Sequence, residues 1–528
     1  MKNIIEVEVF NKLFSSIAEE MGIILRRSSF SSNIKERCDF SCAIFDRQGE
    51  LAAQAAHIPV HLGAMPKTLE FVLRKLTLDP GDIVIVNDPF QGGSHLPDIT
   101  LIEALHDEHG DVLFYLVNRA HHADVGGKTP GSMGFSTCLS EEGVLIGPTY
   151  LHKGGCPNEH FLHNFLEKVR NPTERQGDLR AQIASLQRGG MRLSQLLEKY
   201  GEEHIFTILD QLKDYGEQLM RGCIRRLPDG CFHFTDYLDN NGLDQNHISI
   251  SVELTIQGDR VQVDFSKSGD QIATPLNTVQ AVTISATMYV FQCLLGEGYP
   301  LNQGSYRPIS IKTRPGSILD SLEPAPVAAG NVETSQRIVD TLFGALAQAV
   351  PNRIPAASCG SMNNIAIGGA KNSEAPYTYY ETIGGGMGAR PDKSGLSGIH
   401  THMTNTMNTP VEALERSFPL QVEKYALRRG SGGQGRFQGG EGIIRTYRFL
   451  KVGRISLLME RRTLAPYGLA GGSNGKKGES LLVCGNKKKK LAGKTNLMAK
   501  KGDRLVIKTP GGGGWGSEIR RQRTEDRS

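Results

Sequence analysis

The chain has 528 residues, 39% of them hydrophobic and 22% charged, an ordinary folded composition that excludes a mostly disordered polypeptide. Sixty Lys and Arg against 56 Asp and Glu leave a formal charge of +4, too small an excess on so long a chain to argue for nucleic acid. The longest apolar-leaning stretch, 279–295, is broken by Gln280, Thr283, Ser285, Thr287 and Gln292, and the acidic N-terminus has no apolar core, so neither a membrane span nor a secretory signal is expected.

In chain order, the pattern predicts an amphipathic helix over 6–27, then a strand, DFSCAIFD. GDIVIVND, ITLIEAL and DVLFYLVN read as further strands, and the last two form a hairpin about the turn at 107–110. Residues 160–226 have helical periodicity. The strands ISISVELTIQ and DRVQVDFS follow, and then buried helices near 276–296 and 334–349. Glycine marks a change of build: 27 of the 61 fall in the last 145 residues, where EGIIRTYRFL, GRISLLMERR, ESLLVCG and GDRLVIKTP read as short strands between glycine turns. The lysine run 487–490 reads as a solvated turn. The expectation is an α+β chain with a mixed N-terminal part (1–158), a helical segment (159–228), an α+β part (229–383), a glycine-rich β part (384–516) and a charged tail (517–528).

The phosphate-loop candidates lack context. Gly493-Lys494-Thr495 has Lys488 where the first loop glycine belongs. Gly430-x-Gly432-x-x-Gly435 precedes glycine-rich sequence instead of the helix whose N-terminus would hold the anion, and reads as a glycine-rich β turn. The nine Cys include no CxxC, so reduced thiols, a cytoplasmic setting and metal ligands of N and O are expected. The strongest chemical signal is a repeated HxxD. His95 and Asp98 end one loop; His121 and Asp124 begin another. Two imidazoles and two carboxylates suit a divalent Mn, Fe or Zn ion. Pairing outward from the hairpin turn sets position 95 roughly opposite 121, so both pairs converge on one hairpin end. Either pair alone reads more simply as polar residues at a strand end, and it is their convergence that favours a metal. His57, His61, His122 and Asp88 are candidates to orient the ligands, although Asp88 also suits a turn before Pro89.

SSNIKERCDFSCAIFD, AQAAHIPVHLGAMP, VNDPFQGGSHLPDITL, NRAHHADVGG, TPGSM, GDLRAQIAS, LRRGSGGQGRFQGGEGIIR, MERR with PYGLAGG, and PGGGGWG together resemble the hydantoinase B/oxoprolinase family over about 4–516. The resemblance implies one part of a cytoplasmic, ATP-dependent hetero-oligomer that opens hydantoin or 5-oxoproline-like rings. ATP would be bound by a hydantoinase A-type partner with an actin-like fold, fused to this part in some members. In the related acetone carboxylase branch a divalent metal sits on the corresponding subunit, at positions matching His95, Asp98, His121 and Asp124. The HLPD spelling leans toward the hydrolases. The alternatives are an acetone- or acetophenone-type carboxylase subunit and a scaffold with a structural metal.

Overall fold

A computed structural model of the chain describes residues 4–55, 57–296, 298–369 and 377–517; the predicted tail beyond Ser517 lies outside the described residues. Helix α1 (Ile4–Ser28) turns Val7, Phe10, Phe14, Ile17, Met21 and Leu25 inward at helical spacing. After the short α2 (Ser32–Lys35) come β1 (Phe40–Asp46), β2 (Leu51–Gln54), α3 (Ala64–Leu73), β3 (Ile83–Val86), β4 (Asp98–His106), β5 (Val112–His121), β6 (Thr149–Lys153) and β7 (Cys156–Pro157). They form one antiparallel sheet in the order β2-β1-β5-β4-β3-β6-β7. α4 (Glu159–Leu166), α5 (Pro172–Tyr200) and α6 (Glu202–Ile224) follow.

Both faces of this sheet are covered, which is why its inner strands read as apolar runs. On β5, Phe114 and Leu116 join the core shared with α1 and α5, while Tyr115 and Val117 join the core under Met65, Leu69 and Val72 of α3. The period of two carries through to the strand end. Asn118 and His122 face α5, where they meet Gln182, and Arg119 reaches Thr68 of α3.

A second sheet contains β8 (Gly230–Leu238), β9 (Ile248–Gln257), β10 (Arg260–Asp264) and β11 (Ile309–Lys312), with α7 (Gln280–Leu295) and α8 (Ser335–Ala349) packed nearby. β8 was not expected from the sequence; its alternation is masked by outer-face residues that include Cys231, His233 and Tyr237. A π-helical turn, Gly330–Thr334, leads into α8.

The glycine-rich part holds β12 (Asn364–Gly368), β13 (Thr378–Glu381), α9 (Val411–Ser417), β14 (Leu420–Arg428), β15 (Gly442–Phe449), β16 (Gly453–Leu458), β17 (Glu479–Cys484), β18 (Lys487–Leu491), β19 (Lys494–Ala499) and β20 (Arg504–Lys508). They make two sheets, β13-β12-β16-β19 and β14-β15-β20-β17-β18. The lysine run is therefore not a turn but an exposed edge strand, β18, paired antiparallel with β17; lysines on an edge discourage further strand pairing. Between the sheets, glycine segments pack backbone on backbone. Gly512 N–H donates to Gly440 O, Gly440 N–H to Met387 O, and Gly513 N–H to Ala357 O, at 2.8–2.9 Å. A Cβ on Gly512 would lie 2.1 Å from Met387 O, so no other residue fits there without movement. No helix of the described residues is long and apolar enough to cross a membrane.

Candidate metal centre

Asp98 opens β4 and His121 closes β5, and the two are directly paired across the hairpin. The pairing differs from the sequence expectation by three residues. The turn runs wider, with Asp107 N–H donating to Asp111 O, and a register shift intervenes between Leu105 and His106. His95 reaches the same place from the preceding loop, where Asp98 N–H donates to His95 O at 3.1 Å. Asn87 fixes that loop: its amide donates to Leu96 O (2.8 Å) and Val144 O (2.9 Å) and accepts from Ile146 N–H.

Three donor atoms converge. His95 Nε2 is 3.1 Å from Asp98 Oδ1 and 3.2 Å from His121 Nδ1, and His121 Nδ1 is 3.2 Å from Asp98 Oδ1. All three side chains are buried. Asp98 Oδ2 meets His61 Nε2 at 3.2 Å and accepts from Ser94 Oγ, and His61 Nδ1 meets Ser41 Oγ at 2.8 Å. Burial opposes ionisation of Asp98, yet the charges of His95 and His61 and hydrogen bonds from His121 and His61 hold its carboxyl well below the usual range. Burial also opposes protonation of His95, but Asp98 outweighs it and raises that imidazole; in His121 burial prevails and lowers it.

The other predicted site residues are placed elsewhere, apart from His61. Asp124 does not join the donor group: its carboxylate accepts from the backbone N–H of Gly126 and Arg170 (3.0 Å each) and pairs with the Arg170 guanidinium at 2.7 Å. The chain turns away after β5 and spends this carboxylate on a buried arginine. His122 points to the opposite face, 2.9 Å from Gln182 Oε1, and burial lowers its pKa to about 4. His57 accepts from Cys42 N–H at 3.2 Å and lies edge-on to Phe40. Asp88 caps the turn 89–91 by accepting from Phe90 N–H at 3.0 Å.

Three residues at the centre lie far from the HxxD motifs. Asp39 immediately precedes β1, accepts His121 N–H through its carbonyl (2.9 Å), and shares a cavity of about 20 Å³ with His61, His121 and Asn331. Its place beside His121 follows from the β1–β5 pairing of Phe40 with Ala120. Asn331, on the π-helical turn, brings Nδ2 within 3.2 Å of His95 Nε2. Tyr380 stacks on His121 with centroids 4.5 Å apart and planes at 13°. The cavity has room for about one water molecule.

The sequence profile of the family "Hydantoinase B/oxoprolinase" matches residues 3–518. 5-Oxoprolinase 1 of Arabidopsis thaliana is 37% identical over 98% of this chain, which spans only 42% of the plant protein. A putative D-/L-hydantoinase subunit of the B type, from a Pseudomonas species, is 30% identical over 98% of this chain and 90% of its own length. Among solved structures, the ATP-dependent caprolactamase from Pseudomonas jessenii superposes with a TM-score of 0.90 at 27% identity, covering 98% of this chain and 91% of that one.

Proposed function

Because this chain belongs to the hydantoinase B/oxoprolinase family, we propose that it is the B-type part of an ATP-dependent hydrolase opening hydantoin or 5-oxoproline-like rings. The observation that carries the reading is the donor triangle of His95, Asp98 and His121, with sides of 3.1–3.2 Å, beside a cavity the size of one water. Such spacing fits donors bound at roughly 2.0–2.2 Å to one ion, and two imidazoles with one carboxylate suit Zn, Mn or Fe. These three residues would hold the ion, with Asp39 the nearest further carboxylate lining the cavity. A divalent ion there would supply Lewis acidity toward a carbonyl or a water molecule.

The chain's own residues do the rest. His61 and Ser94 hold Asp98 by one oxygen and leave the other facing the two imidazoles. Val332, Met362 and Met403 line the cavity and would restrict the water beside the donor group to about one molecule. An unstrained lactam is a poor electrophile, so ATP is needed. An A-type partner would transfer the γ-phosphoryl group to the amide oxygen. Attack of water on the adjacent carbon then breaks the ring C–N bond, the ring nitrogen takes up a proton, and the acyl phosphate left behind is cleaved by a second water to carboxylic acid and phosphate.

Co-expression with an A-type subunit, followed by ATP-hydrolysis assays on hydantoins, 5-oxoproline and ketones with and without bicarbonate, tests this. Ring-opened acid formed with ATP consumption is the expected result. Bicarbonate-dependent turnover of a ketone would replace the hydrolase with a carboxylase.

A further inference from the structure

Glu142 is buried, and its carboxylate gathers donors from two distant segments. Ser136 Oγ donates to Oε1 at 2.6 Å, Val327 N–H to Oε2 at 3.1 Å, and Ala328 N–H to both oxygens at 3.1 Å. The peptide carbonyl of Ala328 faces His95 Nδ1 at 3.4 Å, and three residues on Asn331 Nδ2 approaches His95 Nε2. Glu142 thus grips the segment that presents two groups to a single imidazole. A proton on Nδ1 directed at Ala328 O leaves the Nε2 lone pair turned toward Asp98 and His121, the tautomer that a metal ligand requires. Burial raises the Glu142 pKa to about 7; above that pH, where the test is run, the carboxylate accepts at both oxygens, whereas a carboxamide of the same shape has to turn an N–H₂ toward Ser136 or toward the two peptide donors.

We infer that Glu142 is a positioning residue for the centre, setting the orientation and tautomer of His95 through the Val327–Ala328 backbone. This rests on the metal reading of His95, Asp98 and His121. The probe is Co²⁺ titrated into the full metal-stripped chain, read by its visible d–d absorption, with thermal melting of the metal-free protein alongside. Glu142→Gln should weaken Co²⁺ binding by about 10–100-fold, the range for losing a group that orients a ligand, and should shift the band. Glu142→Asp keeps the charge but withdraws it from the two N–H groups, so it should weaken binding in the same direction even if the Gln variant does not fold. His95→Ala should abolish the band. Wild-type affinity and spectrum in Glu142→Asp, or in a folded Glu142→Gln, would overturn this inference alone. No Co²⁺ band in the wild-type chain would overturn both it and the metal reading.

Discussion

Half-buried Glu103 and fully buried Asp124 are two carboxyls with opposite fates. Glu103 on β4 has a buried oxygen with no hydrogen-bond partner, and burial pushes its pKa to about 7. Below pH 4.5 the acid is neutral folded or unfolded, and it costs nothing. Between about 4.5 and 7 the unfolded chain ionises first, so stability falls with rising pH, by at most about 3.4 kcal/mol at 1.36 kcal/mol per unit. Glu103→Gln should therefore melt higher than wild type at pH 8 and no higher at pH 4.5; an equal difference at both would refute the argument. Asp124 instead neutralises buried Arg170. Asp124→Asn should leave metal affinity within about twofold of wild type. Stability should fall by roughly 3–5 kcal/mol, the usual result of stripping a buried ion of its partner. Loss of metal without loss of stability would return Asp124 to the ligand set.

At the scale of elements, the hairpin of β4 and β5 was readable from two apolar runs about a polar turn, and that sufficed to bring His95, Asp98 and His121 to one end. Its register was not readable, because a shift between Leu105 and His106 leaves no mark in residue type. Nor does HxxD spacing say which way the chain turns after β5, and so Asp124 was assigned to the wrong neighbourhood. Asp39, Asn331 and Glu142 come from segments brought in by tertiary packing, beyond the reach of local pattern. The glycine-rich sequence signalled an altered build, but not that glycines would stack directly on one another's backbones. That stacking gives a contrast between two substitutions. Gly512→Ala drives a Cβ to 2.1 Å from Met387 O, whereas Gly502→Ala meets nothing within 4 Å and is strained only by its φ of +92°. The first should abolish soluble expression or cost more than about 4 kcal/mol; the second should cost about 1–2 kcal/mol. Comparable melting temperatures for the two variants would contradict the close-packed description.

Over the whole molecule, one apolar core runs from Val7 on α1 to Leu458 on β16, and a second from Ile365 to Ile507 fills the glycine-rich part. With cores of that extent the chain should fold without a metal, unlike a zinc finger. What it should not do alone is turn over ATP, and the reason lies in how its phosphate-loop lookalikes are used. A phosphate loop works through free backbone N–H groups and a mobile lysine. In the 430–436 glycine segment, Gly433 N–H donates to Gly512 O, Gln434 N–H to Ser473 Oγ, and Arg436 N–H to Gly516 O. Lys494, in the other lookalike, is buried at the start of β19 and salt-bridged to Glu460. Both sets of donors are already spent inside the fold, and exposing them would break the glycine stack or take from buried Glu460 one of its two cations, leaving only Arg337 at 3.4 Å. The purified chain should therefore show no substrate-dependent ATP hydrolysis, and addition of an A-type subunit should restore it. Asp98→Ala or His121→Ala, mixed with that subunit, should still form the complex and keep the far-UV circular dichroism of wild type while losing metal and ring-opened product. ATP turnover by the chain on its own would refute this division of labour, and unfolding of both ligand variants would make the metal a structural one.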